Sequence, residues 1–362
     1  MKPIQIACSA CHVSAAPTDW RCTVCGGLLE IMNLPRFDAE AIDANVWSMW
    51  RYGALLPAEP KLTLGEGMTP LVPVTVDGQS FHAKLEHLNP TGSYKDRGAA
   101  VLLNHFAAHG VGSVVETSSG NAGAAAALYA AGLGMRARIY TPANAVGTKK
   151  RQIQTVAELV AVPGARSAVD AACEAAAAEP GVAYATHAWS PLFIAGQMTA
   201  AWEIWEQLGR RAPGAIVTPV GMGCLLRGLY HGFGALLDAG LIDRIPRIFA
   251  VQAANSDPVV QGWEQGLDTV PDIHQQPSVA DGIMTLRPIR ETQVLHAIRA
   301  SDGMALRVTE DDILAAHAAM LQRGLLIEPT SATTVAALPQ VRQHYPGDDL
   351  VLLLTGNGLK TL

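Results

Sequence analysis

The sequence predicts an α/β protein in which parallel β-sheets are wrapped by helices. Short runs of β-branched and aliphatic residues alternate along the chain with helical patterns, and this alternation is typical of parallel sheets. Hydrophobic residues make up 49% of the chain but aromatic residues only 6%, which suits closely packed, alanine-rich helices. With 362 residues, the chain is long enough for two packed lobes and a small appendage.

The predicted elements follow one another in a regular order. Residues 1–30 stand apart because they carry two CxxC pairs, a ten-residue spacer and then Gly26-Gly27. The segment LGEGMTPL (64–71) opens the main fold, and the alanine tract 171–178 predicts a helix rather than a linker. The remaining predictions are strand 113–116, helix 121–131, strand 135–140, strand 215–217 before a glycine turn and a helix, strand 247–252 and strand 350–354.

Charge and hydropathy exclude several classes of function. The net charge is −6 and no basic cluster is present, so we expect no nucleic-acid partner. The uncharged run 117–135 is dominated by Ala and Gly and predicts a buried helix rather than a membrane span. The N-terminus lacks a long apolar segment, so we expect no secretory signal, no membrane partner and a cytoplasmic location.

Four of the six cysteines form two closely spaced pairs near the N-terminus. In a chain expected in a reducing compartment, such pairs favour a metal over disulfides. Four thiolates at this spacing can hold zinc in tetrahedral geometry without help from the rest of the fold. The spacer is shorter than in the usual ribbon, so a metal-free ribbon is the alternative. The predicted ligands are Cys8, Cys11, Cys22 and Cys25.

One lysine follows a turn and begins a predicted helix. The turn is Asn-Pro-Thr-Gly (89–92), and it delivers Lys95 to the helix N-terminus, where the helix dipole disfavours an ammonium ion. A lysine with a lowered pKa can form an imine with an aldehyde cofactor. The alternative is that Lys95 pairs with Asp96 or Glu86 on a solvated helix.

Three other segments place polar or glycine-rich turns at the ends of predicted strands. The segment TSSGN (117–121) offers hydroxyls and backbone N–H groups for a carboxylate, or an ordinary helix cap. The segment PVGMGCLL (219–226) is suited to a phosphate, or is a tight turn. The segment LTGNGL (354–359) ends the last strand with a hydroxyl on a glycine-rich loop, or is a C-terminal turn.

Taken together and in this order, these segments resemble the fold-type-II pyridoxal phosphate (PLP) enzymes, specifically the threonine synthase branch. The phrases LGEGMTPL, NPTGSYKDRG, SSGN, PVGMG, IEPTSA and TGNGLK carry the resemblance over nearly the whole chain. It implies two α/β lobes of the tryptophan synthase β type with the cofactor between them, and a homodimer. The implied domains are a zinc-ribbon-like extension 1–32, a larger lobe 33–85 plus 190–362, and a smaller mobile lobe 86–189.

The resemblance also implies a role for each site residue. Lys95 would hold PLP as a Schiff base and act as the general base at the substrate α-carbon. Asn121 would bond the 3-oxygen of the pyridine ring, and Thr355 would face the ring nitrogen. The cofactor phosphate would be bound by Gly221, Met222, Gly223, Cys224 and Leu225. The substrate carboxylate would be bound by Ser118, Ser119 and Gly120, with Thr91 and Ser93 flanking the site.

A hydroxyl at the ring nitrogen has a chemical consequence. It leaves that nitrogen largely unprotonated, so the ring withdraws electrons less strongly. Loss of a β- or γ-substituent then competes well with reprotonation of the α-carbon. The implied enzyme is a carbon–oxygen lyase that removes the α-proton and then eliminates or replaces a substituent of an amino acid. The implied substrates include phosphohomoserine, which would give threonine.

Two residues depart from the pattern that threonine synthases use for the substrate phosphate. That pattern reads Asn-Pro-x-Arg followed by Gly-Gln-Lys-Thr, whereas this chain has Phe193 and Met198 in place of the arginine and the lysine. Phenylalanine cannot make the charge-assisted bond to a phosphate, which is worth about 1.5–3 kcal/mol. The stretch 191–199 is similar to serine/threonine dehydratases, so a non-phosphorylated amino acid is the first alternative. A non-catalytic, regulatory relative of threonine synthase is the second.

Overall fold

The computed structural model describes residues 4–118, 120–143 and 148–361. The strands are β1 (Ile6–Cys8), β2 (Leu29–Ile31), β3 (Leu71–Val76), β4 (Gln79–Lys84), β5 (Ser113–Glu116), β6 (Arg136–Pro142), β7 (Glu158–Val162), β8 (Val182–Tyr184), β9 (Ala215–Pro219), β10 (Arg247–Ala253), β11 (Met304–Val308) and β12 (Leu350–Leu353). The α-helices are α1 (Lys95–Ala108), α2 (Asn121–Gly132), α3 (Thr148–Gln154), α4 (Arg166–Ala177), α5 (Pro191–Gln207), α6 (Cys224–Asp238), α7 (Pro258–Glu264), α8 (Glu291–Ala300), α9 (Glu310–Gln322), α10 (Pro329–Ala336) and α11 (Leu338–His344).

The strands form two main sheets and one small hairpin. The larger sheet has the order β11-β10-β9-β12-β4-β3, and all its neighbours are parallel except β3 and β4. The smaller sheet has the order β7-β6-β5-β8 and is entirely parallel. The prediction of parallel sheets with helical connections is therefore confirmed. The predicted strands and helix 121–131 are present to within two residues at each end, and the alanine tract 171–178 forms the C-terminal part of the longer helix α4.

Local sequence explains the exceptions and the core. The β3–β4 hairpin turns through Asp77 and Gly78, both with positive φ (50° and 78°), as a two-residue hairpin turn requires. The inner strands β9 and β12 are buried along their whole length, because helices cover both faces of a parallel sheet and such strands become continuous apolar runs. Helix α2 is alanine-rich and buries most of its residues.

The chain divides into two compact units. Taken over the described residues, the first comprises Met1–Gly67, Lys95–Gly196 and Thr361, and holds the four-stranded sheet. The second comprises Met68–Tyr94 and Gln197–Lys360, and holds the six-stranded sheet. Residues 33–67 fall in the first unit in this division, whereas the predicted domain boundaries assign them to the larger lobe. The predicted lobes, as functional domains of which one moves, stay a prediction.

The cysteine-containing segment forms a small antiparallel hairpin within the first unit. Strands β1 and β2 pair Cys8 with Leu29. The indole of Trp20 packs edge-on against the rings of Tyr184 and Trp189, with centroids 5.1 Å apart in both pairs. Every helix in the described ranges is too short or too polar to cross a lipid bilayer.

Candidate active site

In the first unit, Lys95 is the first residue of α1, as the sequence predicts. Its side chain is half-buried, and Nζ lies 5.6 Å from the centroid of the Phe193 ring. The ring is almost completely buried and lies directly against Gly98, where an added Cβ would fall 2.4 Å from Cδ1 of Phe193. The glycine one turn after Lys95 therefore makes room for an apolar ring beside the lysine nitrogen.

In the second unit, the turn before Lys95 is held by the glycine-rich loop that follows β12. Gly92 has a φ of 83°, which glycine adopts without strain. Ser93 pairs with Gly356 in an isolated bridge, and Tyr94 donates its backbone N–H to the carbonyl of Thr355 at 3.1 Å. Thr91 is buried, and among the described residues the buried Oγ of Ser93 has no hydrogen-bond partner. An unsatisfied buried hydroxyl is what a bound ligand would complete.

The segment predicted to bind a carboxylate lies at the start of α2 in the first unit. Gly120 is the N-cap and provides no side-chain cap, and Asn121 begins the helix; a helix N-terminus of this kind suits an anion. An added Cβ at Gly123 would lie 1.8 Å from the carbonyl oxygen of Ser118. Only glycine at this position allows the segment to fold onto the helix in this way. Ser119 lies outside the described residues.

The segment predicted to bind the cofactor phosphate joins β9 to α6 in the second unit. Gly223 has a φ of 81° and caps a helix of 15 residues without a side-chain cap. An added Cβ there would lie 2.3 Å from Val294. The buried N-terminus of a long helix, free of a side-chain cap and preceded by a glycine in the left-handed region, has the donor set that a phosphate needs. The predicted residues are Gly221, Met222, Gly223, Cys224 and Leu225.

The predicted ring-nitrogen partner has a neighbour that the sequence did not single out. The hydroxyls of Thr355 and Ser331 lie 3.2 Å apart, and both residues are buried. Ser331 Oγ also accepts the backbone N–H of Gly356 at 2.9 Å. Ser331 thus fixes the position of the hydroxyl after β12. Its signal in the sequence is the IEPTSA phrase, which by itself indicates only the family resemblance.

A second missed feature is a buried acid–imidazole pair in the first unit. Glu116 is the last residue of β5 and is 1% exposed; its Oε1 lies 2.9 Å from Nδ1 of His187. The His187 ring meets Phe193 edge-on, with centroids 6.0 Å apart. Burial, and next the charge of Lys95, lower the pKa of His187, although the bond to Glu116 opposes both. The available signal was a carboxylate at the end of a buried strand, directly before TSSGN.

The four N-terminal cysteines lie together. Their Sγ atoms are all within 4.8 Å of one another, and the pairs Cys8–Cys25 and Cys11–Cys22 are 3.4 and 3.5 Å apart. None forms a disulfide. Backbone N–H groups of Cys11 and Ala10 lower the pKa of the Cys8 thiol to about 6, which favours a thiolate. The sulfur separations resemble the ~3.8 Å edge that four Zn–S bonds of 2.3 Å define.

Comparison with known proteins decides the family. The sequence profile described as "Pyridoxal-phosphate dependent enzyme" matches residues 62–356. The chain belongs to this family. The threonine synthase of Methanosarcina acetivorans is 31% identical over 356 residues, which cover 94% of this chain and 88% of that protein. The threonine synthase of Mycobacterium tuberculosis is 34% identical over 310 residues, 83% of each chain.

Comparison with solved structures finds a similar fold in a protein named for a different activity. The solved structure of a threonine deaminase from T.th. is similar with a TM-score of 0.70 and 30% identity, and covers 80% of this chain and 92% of that one. The resemblance inferred from the motifs is therefore confirmed: this PLP-dependent enzyme is a threonine-synthase-like lyase with an α/β fold of type II that acts on amino acids.

Proposed function

We propose that this PLP enzyme catalyses elimination from an amino acid whose leaving side chain is uncharged, with the outcome of a serine/threonine dehydratase. The cofactor, when bound, supplies the electron sink that makes the α-proton acidic. Lys95 supplies the amine that would carry the cofactor; its Nζ would accept the substrate α-proton and return a proton to the departing hydroxyl, which leaves as water.

Phe193 is the observation that carries this proposal. Threonine synthases need a cation at its position for the substrate phosphate, yet here an almost completely buried aromatic ring lies with its centroid 5.6 Å from the reacting amine. Gly98 and Phe193 fit each other closely, so an arginine could not replace the ring without rearrangement. A phosphate beside this ring would lose its hydration without a charge-assisted bond in return.

The other residues are assigned to binding and orientation. The uncapped N-terminus of α6, Gly221 to Leu225, would hold the cofactor phosphate. Thr355, fixed by Ser331, would contact the ring nitrogen, and Asn121 would contact the 3-oxygen. Backbone and hydroxyl donors of 118–120 would bind the substrate carboxylate, with Thr91 and Ser93 beside it. The orphaned hydroxyl of Ser93 and the uncapped N-termini of α2 and α6 support this assignment.

A second candidate is the conversion of phosphohomoserine to threonine. The identity of 31–34% to threonine synthases over most of the chain favours it. Its requirement is a set of cationic and amide groups for the second phosphate, and Phe193 and Met198, both buried, do not supply them.

A substrate panel separates the two candidates. We expect the PLP-loaded enzyme to form 2-oxo acids from L-serine or L-threonine and to release phosphate from phosphohomoserine at least about tenfold more slowly, because one lost charge-assisted bond is worth that much. The measurement is kcat/KM for 2-oxo acid and inorganic phosphate in parallel. Phosphate release from phosphohomoserine that exceeds every dehydratase rate would support threonine synthesis instead.

We also propose that the four-cysteine cluster binds a structural zinc ion. The support is the donor chemistry and the sulfur separations of Cys8, Cys11, Cys22 and Cys25. Gly27 permits the closure, since an added Cβ would lie 3.1 Å from Cys25 Sγ and 3.2 Å from Cys8 Sγ. The metal would then fix the hairpin that carries Trp20.

Elemental analysis tests the zinc assignment. We expect about one zinc per chain, lost in Cys11→Ser and retained in the matched variant Cys173→Ala, whose cysteine is buried elsewhere. Loss of the metal should also change the emission of Trp20, because the indole packs on Tyr184 and Trp189 from the cysteine segment. A protein expressed with ample zinc that contains none, or a Cys11→Ser variant with undiminished zinc, would contradict the assignment.

A further inference from the structure

The pair Glu116–His187 adjoins the Phe193 ring, as the reacting lysine does, but has no part in the functions assigned above. Both residues belong to the first unit, with Lys95 and Phe193. The Phe193 ring is the common neighbour, because Lys95 Nζ lies 5.6 Å and the His187 ring 6.0 Å from its centroid. The charge of Lys95 is also among the causes that lower the pKa of His187. The Phe193 ring thus links the pair to the lysine at which the proposed chemistry takes place.

Hydrogen bonding fixes which nitrogen of His187 faces the carboxylate. Nδ1 lies 2.9 Å from Glu116 Oε1, with side-chain exposures of 15% and 1%. A carboxylate accepts hydrogen bonds, so Nδ1 carries the proton and Nε2 of the neutral ring is an acceptor. Among the described residues, the other oxygen, Glu116 Oε2, is buried without a partner. The pair thus presents acceptor atoms, one of which has no hydrogen-bond partner. A neutral hydrogen-bond donor would suit it, and a phosphate would not.

We propose that His187, oriented by Glu116, receives a hydrogen bond from the side-chain hydroxyl of the substrate and so selects an unphosphorylated hydroxy amino acid. This inference rests on the proposed function and names the group that recognises the leaving side chain. Phe193 provides the apolar wall, His187 Nε2 the acceptor, and Glu116 is the positioning residue. Sites that hydrogen-bond a substrate hydroxyl discriminate strongly against analogues that lack it, because the buried polar group is then left unpaired.

Two substrates of similar size isolate the hydrogen bond. L-Serine can donate its hydroxyl proton, whereas β-chloro-L-alanine cannot, and its chloride leaves without needing a proton. The amide of asparagine reaches the position of Nδ1 and keeps the bond to Glu116, but leaves the position of Nε2 empty. The amide of glutamine reaches the position of Nε2. His187→Asn and His187→Gln are therefore variants that retain a polar group and differ in the one acceptor.

With the PLP-loaded enzyme, we expect His187→Asn to lower kcat/KM for L-serine by about 10- to 100-fold. The value for β-chloro-L-alanine should change by less than about threefold. His187→Gln should recover at least part of the loss, and the exposed His109→Asn should behave as wild type. Equal losses on both substrates, or no loss on serine, would overturn the proposal. A wild-type enzyme that turns over neither substrate would instead contradict the proposed function.

The pH profile gives a readout that a purely structural role would not move. Glu116 on β5, Lys95 on α1 and Arg166 on α4 are the charged groups that act on His187. Protonation removes the acceptor at Nε2, so kcat/KM for serine should fall as the pH drops below about 6.5, through the lowered pKa of His187. The bond to Glu116 raises that pKa, so Glu116→Gln should move this acid limb to lower pH. An unchanged limb would contradict the role of Glu116.

A spectroscopic measurement tests the pair without turnover. ¹⁵N spectra of histidine-labelled protein, with His187→Asn to assign the signals, should show His187 protonated at Nδ1 and unprotonated at Nε2 near neutral pH. A ring protonated at Nε2 would remove the acceptor and overturn the proposal, whatever the kinetics of the loaded enzyme.

Discussion

Lys95→Ala is expected to yield a folded protein that lacks the visible absorbance of lysine-bound PLP and has lost more than about 10³-fold of its turnover. Two roles disappear with one side chain, because Lys95 both carries the cofactor and moves the α-proton. Lys95 is the first residue of α1, and its Nζ lies 5.6 Å from the centroid of the buried Phe193 ring.

Two further variants separate the chemistry from the charge. Lys95→Arg keeps a cation over the Phe193 ring but cannot form an imine, and it should be as inactive as Lys95→Ala. Lys61→Ala removes a lysine whose Nζ is hydrogen-bonded to the carbonyl of Ala107 and should keep both the absorbance and the activity. Absorbance spectra and single-turnover assays check the set. A Lys95→Ala protein that remains coloured and active would place the cofactor on another residue.

The sequence predicted those features that depend on neighbours along the chain. The turn 89–92 and the start of a helix at Lys95 lie within seven residues, and the glycine turn before α6 directly follows a strand. Hydrophobic periodicity and turn chemistry are local signals, which explains why the strands and helices were found at nearly the correct positions. The CxxC pairs are local signals in the same sense, and their four sulfurs do cluster.

The features that were missed join residues that are far apart in sequence. Glu116 and His187 are separated by 71 positions, and the meeting of their side chains depends on how β5 and the segment after β8 pack. Ser331 and Thr355 are 24 positions apart and meet because the first turn of α10 packs against the loop that follows β12. A single sequence can point to one member of such a pair, but it contains no signal that the two residues meet, since each alone is consistent with an ordinary buried or capping residue.

Phe193 shows how an observation from sequence changes meaning in the structure. From the sequence it was only the absence of an arginine. The structure adds the fit to Gly98, the distance to Lys95 and the contact with His187. The substitution is therefore one part of a local arrangement in which an apolar wall and an acid–imidazole pair occur together. That combination argues for a different substrate more strongly than a missing cation does.

The largest expected effect on stability concerns an ion pair in the second unit. Lys84 Nζ lies 2.8 Å from Glu203 Oε2, and both side chains are completely buried. The ammonium also donates to the carbonyl of Thr69 and to Gln207, and Glu203 Oε1 accepts the backbone N–H of Met68. The pair thus joins the end of β4 to α5 and satisfies the backbone of the LGEGMTPL segment.

Lys84→Met is expected to lower the free energy of unfolding by about 3–5 kcal/mol, because it leaves the Glu203 carboxylate buried without its counter-charge. The double variant Lys84→Met/Glu203→Met should be more stable than Lys84→Met alone, since no isolated charge remains and two apolar side chains can pack. Urea unfolding of the single and double variants measures the coupling free energy between Lys84 and Glu203.

In the matched control, Arg138→Met removes an ion pair with the half-exposed Glu179. It should lower the free energy of unfolding by no more than about 1 kcal/mol. A Lys84→Met variant that lost no more stability than this control would contradict the prediction. Glu203 would then have to be neutral in the folded protein and would stabilise it only through its hydrogen bond to Met68.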